Sequence, residues 1–189
     1  MGPLVLLIVL VVVAAWVIAA YNGLIALKNQ TLNAFKQIDV QLKRRHDLIP
    51  NLVNAVRGAM DFEKSTLEAV IQARNQAVKV NATGPEGIKQ ISQAENALSS
   101  ALQRLMVVVE QYPQLRATGN IGQLQEELTS TENKVAFARQ AYNDAVMSYN
   151  TGREIFPVSI IAGATGFVEA RLFEIERTVE REPVKVSFA

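Results

Sequence analysis

Apolar side chains fall along this chain in two different patterns. From Leu4 to Ala20 every position is apolar, and no charged side chain occurs between Gly2 and Leu27. Seventeen helical residues rise roughly 25 Å, near the lower limit for crossing a bilayer, and Tyr21 to Leu27 would carry the helix into the headgroup zone. Twelve of the seventeen are Leu, Ile or Val, which together favour insertion by about 4 to 7 kcal/mol. The pattern predicts a membrane anchor that includes Leu4, Leu7, Val11 and Ile18, with Trp16 and Tyr21 suited to an interfacial aromatic belt.

A cleaved secretory signal is the competing reading. It needs a basic stretch before the apolar core and small residues three and one before the cut. Here no Lys or Arg precedes the run, and Ile18 and Ala20 would fill those places. A retained anchor is the expectation. Lys28, Lys36, Lys43, Arg44 and Arg45 all follow the span. The excess of basic residues on that side expects a single pass through the cell membrane, with the N-terminus outside and the body in the cytoplasm.

Beyond the anchor, apolar residues recur in alternating steps of three and four. One seam runs through Leu24, Leu27, Thr31, Phe35, Ile38 and Leu42, and a second through Ile49, Val53, Val56, Met60, Leu67, Val70 and Ala77. A third reads Ile88, Ile91, Glu95, Leu98, Leu102, Leu105, Val109 and Tyr112, and a fourth Leu124, Leu128, Thr131, Val135, Ala138, Tyr142, Ala145 and Tyr149. A period of about 3.5 residues suits long helices packed at shallow angles. Breakers separate the seams: Thr83, Gly84 and Pro85 before the third, Pro113 after it, Gly119 to Gly122 before the fourth, and Gly152 and Pro157 as its stop. The predicted fold is all-α: a transmembrane helix, an antiparallel, up-and-down-like four-helix bundle, and a partly extended C-terminal tail. The expected divisions are residues 1–27 for the anchor and juxtamembrane segment, 28–154 for the bundle, and 155–189 for an apolar loop and tail.

Pro50 is the ambiguous junction. Asp47 could cap a new helix with Pro50 in its first turn, which reverses the chain. Alternatively, one helix passes through Pro50 with a kink, the ring clashing with the carbonyl of His46. Unbroken apolar phase favours the kink. A straight helix from Leu4 to Lys79 would exceed about 100 Å, and on that ground a reversal is expected. Four legs then bring Ile155 back toward the lipid, whereas a kinked continuation leaves three and carries it away.

At these residues a resemblance emerges. Gln37-Ile-Asp-Val-Gln-Leu-Lys-Arg-Arg-His-Asp-Leu-Ile-Pro-Asn-Leu-Val53 resembles the signature of the LemA family. Tyr112-Pro113-Gln-Leu115, the run from Thr131 to Asn143, and Tyr149-Asn150 are similar to its second half. The likeness spans about Tyr21 to Phe167. It implies a bacterial membrane protein with a helical-bundle body and no established biochemical activity, in a family with one branch associated with intracellular membrane compartments.

Composition narrows the chemistry. The 189 residues carry 19 basic and 18 acidic side chains, without the basic excess that nucleic-acid binding normally requires. With no cysteine and one histidine, His46, disulfides, thiolate nucleophiles, histidine metal cages and triads are all disfavoured. No enzyme and no cofactor are expected. The basic run Lys43 to His46 invites a lipid-headgroup reading, but on an upright helix Arg44 stands roughly 36 Å beyond Ala20. Favourable charge at a helix C-terminus is the preferred account.

Polar residues on or beside the seams are Glu63, Arg74, Glu95, Glu132, Asn133, Arg139 and Asn143. A buried carboxylate metal site is one reading, but the Glu-x-x-His pairs of di-metal bundles are missing. Interhelical polar contacts that set register are preferred, with Glu95 expected to pair with a seam arginine and Asn150 to bond between helices. Gly163 to Gly166 lacks the lysine of a phosphate loop and reads as a turn.

Ile155 to Val168 carries no charge and is too short to span a bilayer. Ile155, Phe156, Ile160, Ile161 and Phe167 would cover the bundle end, meet a neighbouring subunit, or lie in the membrane interface. Val168, Leu172, Ile175 and Val179 make an apolar stripe on a predicted short helix, and Val184 to Phe188 alternates like a strand. The overall expectation is a membrane-anchored, non-enzymatic helical scaffold that forms homo-oligomers at the bacterial membrane, in membrane organisation or remodelling. The alternative is an adaptor presenting a helical face to another membrane protein, such as a protease or chaperone.

Overall fold

The computed structural model describes residues 1–57, 64–80, 84–112 and 119–174. The fold is all-α, with helices α1 (Gly2–Arg57), α2 (Lys64–Lys79), α3 (Gly84–Glu110), α4 (Gly119–Glu154) and α5 (Val158–Thr165), and no strand among the described residues. Burial follows the apolar periodicity closely. Leu24, Ile38, Leu42, Ile49, Val53, Val56, Leu67, Val70, Leu98, Leu105, Val109, Leu128, Val135, Tyr142 and Tyr149 are all buried.

Two compact units divide the chain, Met1–Arg45 with Leu128–Leu172 and His46–Glu127 with Phe173–Ala189. In the first, α1 and α4 lie antiparallel. The rings of Phe35 and Tyr142 meet edge-on at 5.9 Å, and the Thr31 hydroxyl lies 3.4 Å from the Ala145 carbonyl. Further along, a Cβ on Gly152 would stand 2.7 Å from Cδ1 of Leu27. Gly152 therefore does not stop the fourth helix. α4 continues to Glu154, and the glycine provides the space that Leu27 occupies. Helix α5 follows the cis peptide Phe156-Pro157 and ends at Gly166, whose left-handed backbone (φ 75°) closes the terminus. Gly163 to Thr165, expected as a turn, form its last helical residues.

In the second unit, the end of α1 packs with α2 and α3, with Ile49, Leu52, Val56, Leu67, Val70, Leu98 and Leu105 buried. The expected reversal at Pro50 does not occur: α1 runs unbroken to Arg57 with Pro50 inside it. The basic cluster Lys43 to His46 consequently lies within a helix and not at its C-terminus, with Arg45 buried and Lys43 and Arg44 exposed. Residues 167–174 are not helical, so the stripe expected on a tail helix is corrected as well. Met60, Glu63, Thr83, Pro113, Ile175, Val179 and the Val184 to Phe188 segment lie outside the described residues.

Candidate functional site

The second unit holds a polar node whose origin is Pro50. A proline nitrogen carries no hydrogen, so within a helix it leaves the carbonyl four residues earlier without its usual donor. That carbonyl belongs to His46. Nε of Arg74, on α2, donates to it at 3.3 Å. The imidazole of the same residue stands 2.7 Å from Oε1 of Glu95, on α3. Side-chain exposure is 12% for His46 and 3% for Glu95, so water competes little for this bond and its geometry is tightly held. One residue of α1 is thus held by its backbone from α2 and by its side chain from α3.

Within this node the partner of Glu95 Oε1 is His46. The signal was present in sequence, since Pro50 minus four is His46, but only the fold brings Arg74 and Glu95 to it. Chemically the node can orient and stabilise an imidazole. Among the described residues, no group of three or more His, Cys, Asp or Glu side chains converges to hold a metal ion.

A second constellation, in the first unit, ties an extended strap to α4. Tyr149 Oη donates to the Val168 carbonyl at 2.8 Å, and Tyr142 Oη to the Arg171 carbonyl at 2.9 Å. Asn150 grips Ala170 twice, its Nδ2 donating to the carbonyl at 2.8 Å and its Oδ1 accepting from the backbone N–H at 3.0 Å. The side-chain amide substitutes for a neighbouring strand. Asn150 thus serves the strap, not another helix. Tyr142 and Tyr149 stand seven positions apart, two helical turns, and so both reach the same segment. Burial pushes the Tyr142 phenol up to about 12. Burial also raises Tyr149, opposed by the nearby Arg153 charge. In the second unit, Phe173 is fully buried and the Ser92 hydroxyl donates to the Glu174 carbonyl. Val168 and Leu172, two members of the expected apolar stripe, are exposed. Phe173 was missed because an extended segment has a period of two and the stripe was read at helical spacing.

The remaining singled-out residues distribute as follows. Leu4, Leu7, Val11, Trp16, Ile18 and Tyr21 are all exposed along α1, as a lipid-facing helix would be. Glu132 and Asn133 are exposed on α4, whereas Arg74, Arg139 and Asn143 are half-buried. Ile155, Phe156 and Ile160 are exposed and Ile161 is buried. Phe167 is half-buried between the rings of Tyr21 (5.7 Å) and Tyr149 (6.5 Å), with Nζ of Lys28 6.0 Å from its centroid. An open groove of about 380 Å³, lined by Asn51, Asn54, Ala55, Asn120, Gln123, Leu124 and Glu127, completes the second unit.

Known proteins are similar to this sequence along most of its length. Magnetosome protein MamQ 2 of Paramagnetospirillum magneticum is 28% identical over 199 aligned positions, covering 92% of this chain and 73% of the relative. Magnetosome protein MamQ of Magnetospirillum gryphiswaldense is 24% identical, with 81% and 64% covered. Protein LemA of Metamycoplasma hominis is 26% identical, with 88% and 74% covered. The sequence pattern of the LemA family matches residues 34–188, a stretch that takes in Pro50, His46, Arg74, Glu95 and the tyrosine–asparagine pairs of the strap. With the apolar run of α1 ahead of that match and the helices that follow within it, this chain belongs to the LemA family.

Proposed function

We propose that this protein is a membrane-anchored, non-enzymatic helical scaffold that self-assembles at a bacterial membrane and contributes to membrane organisation or remodelling. The observation that carries this reading is the continuity of α1. Its charge-free first turns, exposed throughout, pass without a break into a helix that is buried at Leu24, Ile38 and Leu42. A helix without an intervening linker couples the orientation of the span to that of the body, which suits a structural element. Leu32, Val40, Phe137 and Met147 remain exposed on α1 and α4 and offer apolar contacts to a second copy. Confinement to two dimensions raises effective concentration, so weak contacts of this kind suffice. Relatives named for magnetosomes favour a role in membrane organisation.

The basic residues Lys28 and Lys36 beyond the span favour a cytoplasmic body. Labelling of single cysteines introduced at Asp39 and Gly2 in intact cells tests this: a body cysteine that reacts with an impermeant reagent overturns the orientation. Mass photometry of detergent-extracted protein tests assembly. A discrete particle of many copies is expected. A monomer overturns the self-assembling scaffold and favours an adaptor for another membrane protein.

A further inference from the structure

We infer that residues 155–168, the turn after α4 together with α5, form a second membrane contact, dipping into the lipid interface beside the anchor. The inference rests on the anchored reading of α1 and adds a monotopic contact to it. Its basis is the register between α1 and α4. Contacts pair Phe35 with Tyr142, Thr31 with Ala145 and Leu27 with Gly152. Each step up α4 is a step down α1 toward the apolar span. By this register α4 ends beside the turn of α1 around Leu24, about one turn past Ala20, and residues 155–168 follow there. The far end of the segment reports the same level, since the Phe167 ring touches Tyr21 and lies under Lys28.

Side-chain chemistry matches that depth. The fourteen residues from Ile155 to Val168 carry no charge. Ile155, Phe156, Ile160 and Val168 are 54%, 76%, 64% and 70% exposed. Charge resumes immediately on both sides, at the Arg153–Glu154 pair (3.1 Å) and at Glu169. An uncharged apolar tip bounded by charges, held where a span leaves the hydrocarbon, is the pattern of an interfacial element. Trp16 and Tyr21 mark the same boundary on α1, and Lys28 has the length to reach a phosphate from it. The occupant is therefore a phospholipid surface.

The absence of cysteine from the chain makes the test clean. Single cysteines replace Val11, Ser148, Phe156 or Ile160 in the full-length protein, each carrying an environment-sensitive fluorophore. The labelled proteins are reconstituted in phosphatidylcholine–phosphatidylglycerol vesicles, with helix content checked by circular dichroism. Lipids bearing a nitroxide near the headgroup and a water-soluble quencher then compete to report depth. Labels at Phe156→Cys and Ile160→Cys are expected to be quenched severalfold more by the lipid nitroxide than the label at Ser148→Cys, and severalfold less by the aqueous quencher. If they match Ser148→Cys while Val11→Cys is quenched from the lipid, the interfacial contact is refuted and the anchor stands. Protection from both quenchers refutes it in favour of a covering protein surface. A Val11→Cys label open to water refutes the anchor itself.

Discussion

Replacing Asn150 by alanine should release the strap without unfolding the helices. The side chain makes two bonds to one backbone residue, at 2.8 and 3.0 Å, both partly buried. Each bond contributes about 1 kcal/mol net, and incomplete rehydration of the uncovered Ala170 groups adds a fraction more, so local opening should become easier by about 2 to 3 kcal/mol. A change of that size corresponds to about 30- to 150-fold faster exchange of the Ala170 amide hydrogen where opening limits it. Tyr149→Phe is the internal control. It removes one bond, to the Val168 carbonyl, worth about 1 kcal/mol or about fivefold. Hydrogen exchange read by mass spectrometry on a peptide spanning the strap measures both, with peptides from α2 and α3 as reference. Unchanged exchange in Asn150→Ala would refute the claim that this amide holds the strap. Equal acceleration in α2 and α3 would show a global effect and refute the claim that it acts locally.

Three further outcomes follow from the node and the tyrosines. Arg74→Ala should cost about 1 to 2 kcal/mol in the parent chain but less in Pro50→Ala, because the restored amide of residue 50 then bonds the His46 carbonyl; equal urea-unfolding costs in both backgrounds would contradict this. Glu95→Leu should destabilise by about 1 to 3 kcal/mol, and adding His46→Ala should cost less than the sum of the single changes; a fully additive pair in the same assay would show that the two are uncoupled. Tyr142 ionises near 10.0 when unfolded and about 12 when folded. The unfolded chain therefore loses its proton first as pH rises. The contribution is intact below about pH 10 and is lost by about pH 12, so Tyr142→Phe should flatten the alkaline fall in the urea midpoint, and an unaltered slope would count against it.

Local pattern carried much of this protein. The four seams predicted most of the residues that are buried, since a helix turns the same face inward every three or four positions whatever it packs against. Glu95 stood out for the same reason, as a carboxylate at a position that periodicity assigns to the core. The node was legible only in fragments: Arg74 and Glu95 stand 28 and 49 positions from His46, and no spacing rule links them.

Where side chains from distant segments settle the backbone's hydrogen bonding, tertiary structure decided. Pro50 looked like a turning point because a helix loses a bond there. The helix continues through it, with Arg74 supplying a donor to the His46 carbonyl and the flanking apolar residues buried. The tail looked helical because its apolar residues recur at helical spacing. It is extended because Tyr142, Tyr149 and Asn150 satisfy its backbone groups from α4. α4 ends beside the turns of α1 that follow the apolar run although α1 is unbroken, since the close approach of Leu27 to Gly152 sets the register of α4. Periodicity is a property of each segment by itself, whereas a missing donor can be replaced by whichever side chain the fold brings within about 3 Å.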